Sequence, residues 1–541
     1  MELLDVSSLP TNKIASHYMK QNDAVLNFFD YPDIENKETY INRLNELYHK
    51  TFPRQKLVNY LMEYNKKFTA DKETLQNIQK LADEKSVVVI GGQQAGLLTG
   101  PLYTIHKIIS IISFAKKAEK QLQVPVVPIF WVAGEDHDFA EINHTFVLKN
   151  GKIEKRIIGQ KVFKKCPASI LNIDQQKAKE WIKEVFSTLT ETEYTNDLLI
   201  HLDEDLSGSK TYVDFFIKIV FRLFKNQGLV IVDSGDVGFR QIGLPFIKML
   251  IKQNDELAKQ VFTSQLAVSE LGFGEPIEIH EQNAHLFYVK DGDRILLERK
   301  NGKFVGKNNE CCFTENELLT IAEQNPSSIS NNVVTRPLLQ EYIFPTLAFI
   351  AGPGEVAYWS LLKKAFHLFG LKVPPIVPRL MMSIVDRKTK KYLTEFKLDL
   401  EEVLQKGCGQ MKEKWFESRR PDSIDKTALQ TKNAIKKAHD PLKELAIQID
   451  PGLKDLAEKN AAIIERQIQF LKEKIEKSIR LKYEVEMNKF NHIENSLKPL
   501  QAPQERIWNI YYYLNEYGYE FIEQLLHLDY RWNGNHKVIF L

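Results

Sequence analysis

Residues 134–144, GEDHDFAEINH, bring Glu135, Asp136, His137, Asp138, Glu141 and His144 into one short stretch. Carboxylates and imidazoles are the side chains of proton transfer, amine binding and divalent-metal ligation. His137 and Glu141 stand four apart and Glu141 and His144 three apart, so a helix there would put all three on one face with ligand-like spacing. Three readings stay open: a substrate or general acid/base cluster, a metal site, and a solvated acidic loop. A second concentration precedes it, where Gly91-Gly92-Gln93-Gln94-Ala95-Gly96 leads into Thr99-Gly100-Pro101, Tyr103, His106 and Lys107. Glycines alone need mean no more than a turn with positive φ; the polar side chains crowded around them point to an anion or a nucleotide. The run lacks the Gly-Lys-Ser/Thr ending of a P-loop and the spacing of GxGxxG, so the kind of anion is left open.

The elements around these residues read as an open α/β sheet. The β-branched run Val87 to Ile90 predicts a buried parallel strand entering the glycine turn, and Gly100-Pro101 predicts a helix start followed by an apolar stripe at Ile105, Ile108, Ile109 and Ile112. Val126 to Ala133 predicts the next strand, ending at the acidic stretch. This β-α-β arrangement places loops and a helix N-terminus where such sheets bind ligands. Leu229 to Asp233 predicts another strand, with Asp233 at its end either meeting a ribose hydroxyl or substrate amine or forming a simple turn. Thr346 to Ala351 then enters Gly352-Pro353-Gly354-Glu355, with a helix predicted over Val356 to Phe369. Glu355 there suits an ammonium group or the dipole of its own helix, and Tyr358 and Trp359 stand close by.

The expected domains are a helical segment at 1–85, with a helix around Asn42 to Tyr64, and a core at 86–385 with insertions at about 145–204 and 266–330. A helical domain at 386–498 and a tail at 499–541 that packs on the core complete the chain. In the helical domain Asp450-Pro451 predicts a helix start. Ile464, Ile468, Leu471, Ile475, Ile479, Tyr483 and Met487 follow as a coiled-coil seam with a stutter. At 541 residues and 43% hydrophobic, the chain has core for several modules. Its 73 basic against 71 acidic residues leave a net charge of +2, no footprint for nucleic acid or an anionic membrane. Four cysteines without CxxC spacing, Cys166, Cys311, Cys312 and Cys408, predict reduced thiols in the cytoplasm. The sequence shows neither a secretion signal nor an apolar run long enough to span a bilayer.

The runs GQQAGLLTGPLYTIHKI, FWVAGEDHDFAEINH, PTLAFIAGPGEVAYW and VPPIVPR, in that order and with PQERIWN near the C-terminus, make the chain resemble the bacillithiol biosynthesis cysteine-adding enzymes, the BshC family of cysteine ligases. The resemblance runs the length of the chain. It implies a Rossmann-like parallel-sheet core with inserted connecting segments and an α-helical coiled-coil domain that forms a homodimer. It also implies an activity, addition of cysteine to the amine of glucosaminyl malate with ATP/ADP as cofactor and no metal other than Mg, and an adenine-nucleotide pocket near the tail. The core is further similar to class I aminoacyl-tRNA synthetases. Thr99 to His106, TGPLYTIH, stands where those enzymes carry TGxLHIGH, with Tyr103 replacing the first histidine and His106 keeping the second. Their KMSKS signature has at best a remnant in Arg379-Leu380-Met381-Met382-Ser383.

Together these readings assign His106, Asp136, His137 and Asp138 to catalysis. Gly92, Gln93, Gln94, Thr99, Gly100, Tyr103, Lys107, Glu135, Glu141, His144, Asp233, Gly352, Gly354, Glu355, Tyr358, Trp359 and Arg379 are assigned to substrate or nucleotide binding. The competing functions are a metal-dependent hydrolase using Glu135, His137, Glu141 and His144, and a coiled-coil scaffold or nucleic-acid-binding protein.

Overall fold

The β-branched run at 87–90 becomes a central strand, and a longer one than its sequence suggests. In the computed structural model, which describes residues 1–7, 9, 12–421 and 423–541, strand β1 covers Val87–Gln93 and carries Gly91 and Gly92 inside it rather than in a turn. A Cβ at Gly92 would lie 2.6 Å from the Trp131 carbonyl oxygen and one at Gly91 2.9 Å from that of Ile350. These glycines let neighbouring strands approach, which is a reason for glycine inside a strand.

Helix α1 (Leu102–Leu122) follows, then β2 (Val126–Val132), β3 (Val230–Asp233), β4 (Thr346–Ala351) and β5 (Ile376–Pro378). The sheet order is β5-β4-β1-β2-β3 and every neighbouring pair is parallel. The connection reverses direction between β1 and β4, so a crevice opens there at the strand C-termini. Alternate residues serve two cores: Val87, Val89, Phe130 and Val132 pack on the α1 side, while Val88, Ile90, Ile129 and Trp131 pack on the other. That alternation is the period of a strand buried on both faces.

The start of α1 is held by the C-terminal tail. Thr99 and Gly100 both have φ of 71°, and the Asn509 amide donates to the carbonyls of Leu98 and Gly100 at 2.8 and 2.7 Å. The Leu102 amide donates to the Trp508 carbonyl at 2.8 Å. Trp508, Tyr511 and Tyr513 are buried in the α1-side core.

Several expected elements differ. The helix read across Asn42 to Tyr64 is two, Lys37–Tyr48 and Arg54–Lys67, because Pro53 cannot continue the first. The N-terminal segment also contributes a strand, Glu2–Val6, antiparallel to His536–Phe540, which runs parallel to Met382–Val385. The helix after β4 starts earlier, as α2 (Pro353–Trp359), and a second one covers Lys363–Leu368. The insertions hold a hairpin, His144–Lys149 with Lys152–Ile157, and an antiparallel five-stranded sheet running from Asn283 to Asn331.

The chain divides into two compact units, residues 1–385 with 502–541, and residues 386–501. The second contains α3 (Ser423–Ile449) and α4 (Lys454–Lys482). The ion pairs Lys432–Glu465, Lys443–Glu458 and Asp425–Lys472 make the two helices an antiparallel hairpin. Asp450 caps the turn, accepting from the Gly452 amide at 2.8 Å. The seam is interrupted at Tyr483, where α4 ends and a separate helix, Glu484–Leu497, begins.

Candidate active site

A cavity of about 610 Å³ opens at the ends of β1, β2 and β4. Its wall includes Gly92, Gln93, Gln94, Tyr103, Lys107, Asp136, Glu141, His144, Gly352, Gly354, Glu355, Tyr358 and Arg379, all expected from sequence. It also includes Trp131, Arg336 and Arg506, which were not.

Lys107 reaches the cavity floor from α1. Its ammonium donates to the Gly92 carbonyl at 2.7 Å and to Gln93 Oε1 at 3.2 Å, and pairs with Glu355 Oε2 at 2.5 Å. Burial pushes its pKa down, and the Glu355 carboxylate opposes that shift. Glu355 also accepts from the Gly352 amide at 2.6 Å, so the start of α2 fixes its direction.

Arg379 forms the adjoining wall and is clamped from behind, Nη1 and Nη2 each donating to a Glu505 oxygen at 2.6 Å. Such a bidentate pair fixes the guanidinium plane. Burial disfavours the Glu505 charge, yet Arg379 and His106 hold the carboxyl well below the usual range.

The acidic side of the cavity is set by Gln94, whose amide donates to Asp136 Oδ2 at 2.6 Å. Asp136 in turn accepts from the backbone amide of His137 at 2.7 Å and that of Asp138 at 3.3 Å. Glu141 is raised by desolvation and by Asp138 and Asp136, with Gln94 opposing. Desolvation and Lys155 lower His144, which makes its neutral, proton-accepting form the prevailing one at neutral pH.

The remaining expected residues lie outside the cavity wall. His106 is 1% exposed and turns its Nδ1 to Glu505 at 2.9 Å, so it supports the Arg379 clamp instead of facing a ligand. Thr99 and Gly100 form the strained turn before α1, and Thr99 is fully buried. Glu135 is buried against Arg240 at 3.5 Å and accepts from the Asn331 amide at 3.2 Å. His137 turns aside to Arg294 Nη1 at 3.3 Å. Asp138 caps the four-residue helix Phe139–Ile142 by accepting from the Ala140 amide at 3.0 Å. That helix is too short to carry His137, Glu141 and His144 on one face; His137 precedes it and His144 begins a strand. Among the described residues no three His, Cys, Asp or Glu side chains converge as a metal site. Asp233 is buried beneath the loop, accepting from Ser169 Oγ at 2.8 Å and the Gly235 amide at 2.9 Å. Trp359 stacks on Phe349 in the opposite core, with ring centroids 4.4 Å apart.

Arg336 and Arg506 left no local signal, since each stands apart from the glycine and acidic stretches and only the fold brings them to the cavity. Arg506 does lie in the PQERIWN run.

A family model described as "Bacillithiol biosynthesis BshC, N-terminal Rossmann-like domain" matches residues 1–380, and one described as "Bacillithiol biosynthesis BshC, C-terminal coiled-coil domain" matches residues 382–541. The chain belongs to the BshC family. Curated BshC relatives are similar over the full length of both chains: one from Bacillus cytotoxicus at 44% identity, one from a Geobacillus species (strain WCH70) at 43% and one from Bacillus thuringiensis subsp. konkukian at 42%. Each bears the name "Putative cysteine ligase BshC". The second BshC model extends over the tail, yet residues 502–541 pack with the Rossmann-like unit. These matches give no support to the hydrolase or scaffold alternatives.

Proposed function

We propose that this BshC chain is a ligase that joins the carboxyl carbon of cysteine to the amine of glucosaminyl malate, the last step of bacillithiol biosynthesis. The observation that carries this reading is one cavity holding opposite chemistries. Asp136, Glu141 and His144 suit an amine that must lose a proton, and Lys107, Arg336, Arg379 and Arg506 suit carboxylates or phosphates. As the C–N bond forms, the amine nitrogen gives up a proton, and these acidic-side groups lie where one of them can take it. Lys107 and Glu355 orient polar groups at the floor, while the clamped Arg379 keeps its wall rigid.

A free carboxylate is a poor acyl donor, so ATP belongs to this reading: when bound, it would supply activation of the cysteine carboxyl group. The donor set fits its phosphates through the cavity cations rather than through His106, which is spent on Glu505. A second cavity of about 490 Å³ along the tail, bordered by Trp508, Tyr512 and Tyr517, has the size and aromatic lining for a nucleotide base.

The free thiols Cys166, Cys311, Cys312 and Cys408 fit a reducing cytoplasm. Among the described residues no helix is long and apolar enough to cross a membrane. A homodimer through the helical hairpin completes the proposal.

Purified protein given cysteine, glucosaminyl malate and isotope-labelled ATP should yield the ligated thiol, detected by mass, with AMP as the nucleotide product. AMP would mean activation of the cysteine carboxyl group as an adenylate, whereas ADP with phosphate would mean activation as an acyl phosphate. Product formed without ATP would remove the nucleotide, and no product under any condition would overturn the ligase reading.

A further inference from the structure

The four cations around the main cavity are not equivalent. Lys107 is neutralised by Glu355 at 2.5 Å and Arg379 by both oxygens of Glu505. These two pairs cancel, so the buried floor carries no net charge when the remaining neighbour, His106, is neutral. Burial lowers the His106 pKa and favours that neutral form. Arg336, by contrast, donates to the Tyr358 hydroxyl at 2.5 Å, and Arg506 stands exposed. Neither has a carboxylate within ion-pair distance among the described residues. Glu355 and Glu505 are already occupied, Asp136 is held by Gln94, and Glu135, whose charge Arg336 also feels, is engaged by Arg240 and the Asn331 amide.

We propose that Arg336 and Arg506 form the anion-recognising pair of this cavity, taking a carboxylate or phosphate group of the substrates, while Lys107 and Arg379 shape the wall as neutralised pairs. Resting on the ligase reading, this assigns a division of labour within the site. Two cations without carboxylate partners gain most from an incoming anion, because no internal ion pair has to be broken first and the Tyr358 hydroxyl is a neutral partner for Arg336. Arg336 comes from the helix Thr335–Ile343 and Arg506 from the tail, so the pair joins two distant parts of the sequence across one ligand. Glu505 acts as a positioning residue: by occupying Arg379 it keeps that guanidinium from competing for the same anion.

Binding of L-malate and of inorganic phosphate, each measured by calorimetry on the full chain, tests the pair without requiring turnover. Arg336→Gln and Arg506→Gln should each weaken binding of one of these probes about tenfold or more, while Arg336→Lys, which keeps the charge, should lose less. Glu505→Gln should tighten binding by releasing Arg379. Steady-state kinetics then identify the source: a raised KM for the malate-bearing acceptor assigns the pair to its carboxylates, and a raised KM for ATP assigns it to phosphate. Wild-type affinity for both probes in folded Arg336→Gln and Arg506→Gln variants overturns the proposal, as does no binding of either probe by the wild type. Wild-type protein that binds these anions but never ligates would instead overturn the ligase reading and leave the pair standing.

Discussion

Asp233 sits fully buried at the end of β3, and burial lifts its carboxyl to about 7 despite the donors from Gly235 and Ser169. In the unfolded chain the group returns to an ordinary value near 3.8. Between those two values the folded state holds more protons than the unfolded one, so stability falls as pH rises and flattens above about 7. Asp233→Asn keeps an acceptor for Ser169 and removes the buried charge. Its melting temperature relative to the wild type should rise steadily from pH 4 to pH 7, and a difference independent of pH would contradict this account. Asp233 also shows how site residues were legible in the sequence. A carboxylate at a strand end is visible there, but whether it faces a ligand or a buried serine depends on the Ser169 loop, some sixty residues earlier. The same limit explains His137 and Asp138, which adjoin Asp136 in sequence yet turn elsewhere, since a tight loop sends consecutive side chains in different directions.

At the level of elements, the uninterrupted apolar runs carried most of the core, because strands buried on both faces leave such runs in the sequence. β4 begins and ends where its residues predicted. The signals misled where a tertiary contact decided the outcome. Gly91 and Gly92 read as a turn, but they extend β1 because neighbouring strands leave no room for a Cβ, and that spacing is not encoded locally. Gly92→Ala should therefore destabilise the protein by about 1–3 kcal/mol as the strand shifts away from Trp131. Gly354→Ala, with no atom within 4 Å of its added Cβ and no positive φ, should melt close to the wild type. Urea unfolding of the two variants side by side checks the contrast, and equal midpoints would show that the approach of β1 and β2 is not the constraint.

For the whole molecule, the helical hairpin has more apolar surface than its own pairing consumes. Of the predicted seam, Ile464, Ile468 and Ile479 are half-buried, while Leu471 and Ile475 between them are 61% and 42% exposed, so the hairpin covers that seam only in part. Leu456, Ile463 and Phe470, spaced by sevens on α4, are 64%, 49% and 52% exposed. On α3, Leu442, Leu445 and Ile449 are 63%, 51% and 73% exposed. The sequence thus showed one seam where the helices carry two, because hydrophobic periodicity marks apolar faces without saying which of them a neighbour covers. A stripe at heptad spacing left open along an antiparallel pair suits a second helical hairpin of the same kind. On the dimer reading this outer stripe is the interface. Replacing Leu445, Ile449 and Leu456 together by lysine should convert the dimer to monomer in light scattering. The helices should remain, since those side chains make little contact within the hairpin, and unchanged far-UV circular dichroism would establish that. A lysine variant with the wild-type mass, or a wild-type chain already monomeric at micromolar concentration, would place any self-association elsewhere or remove it.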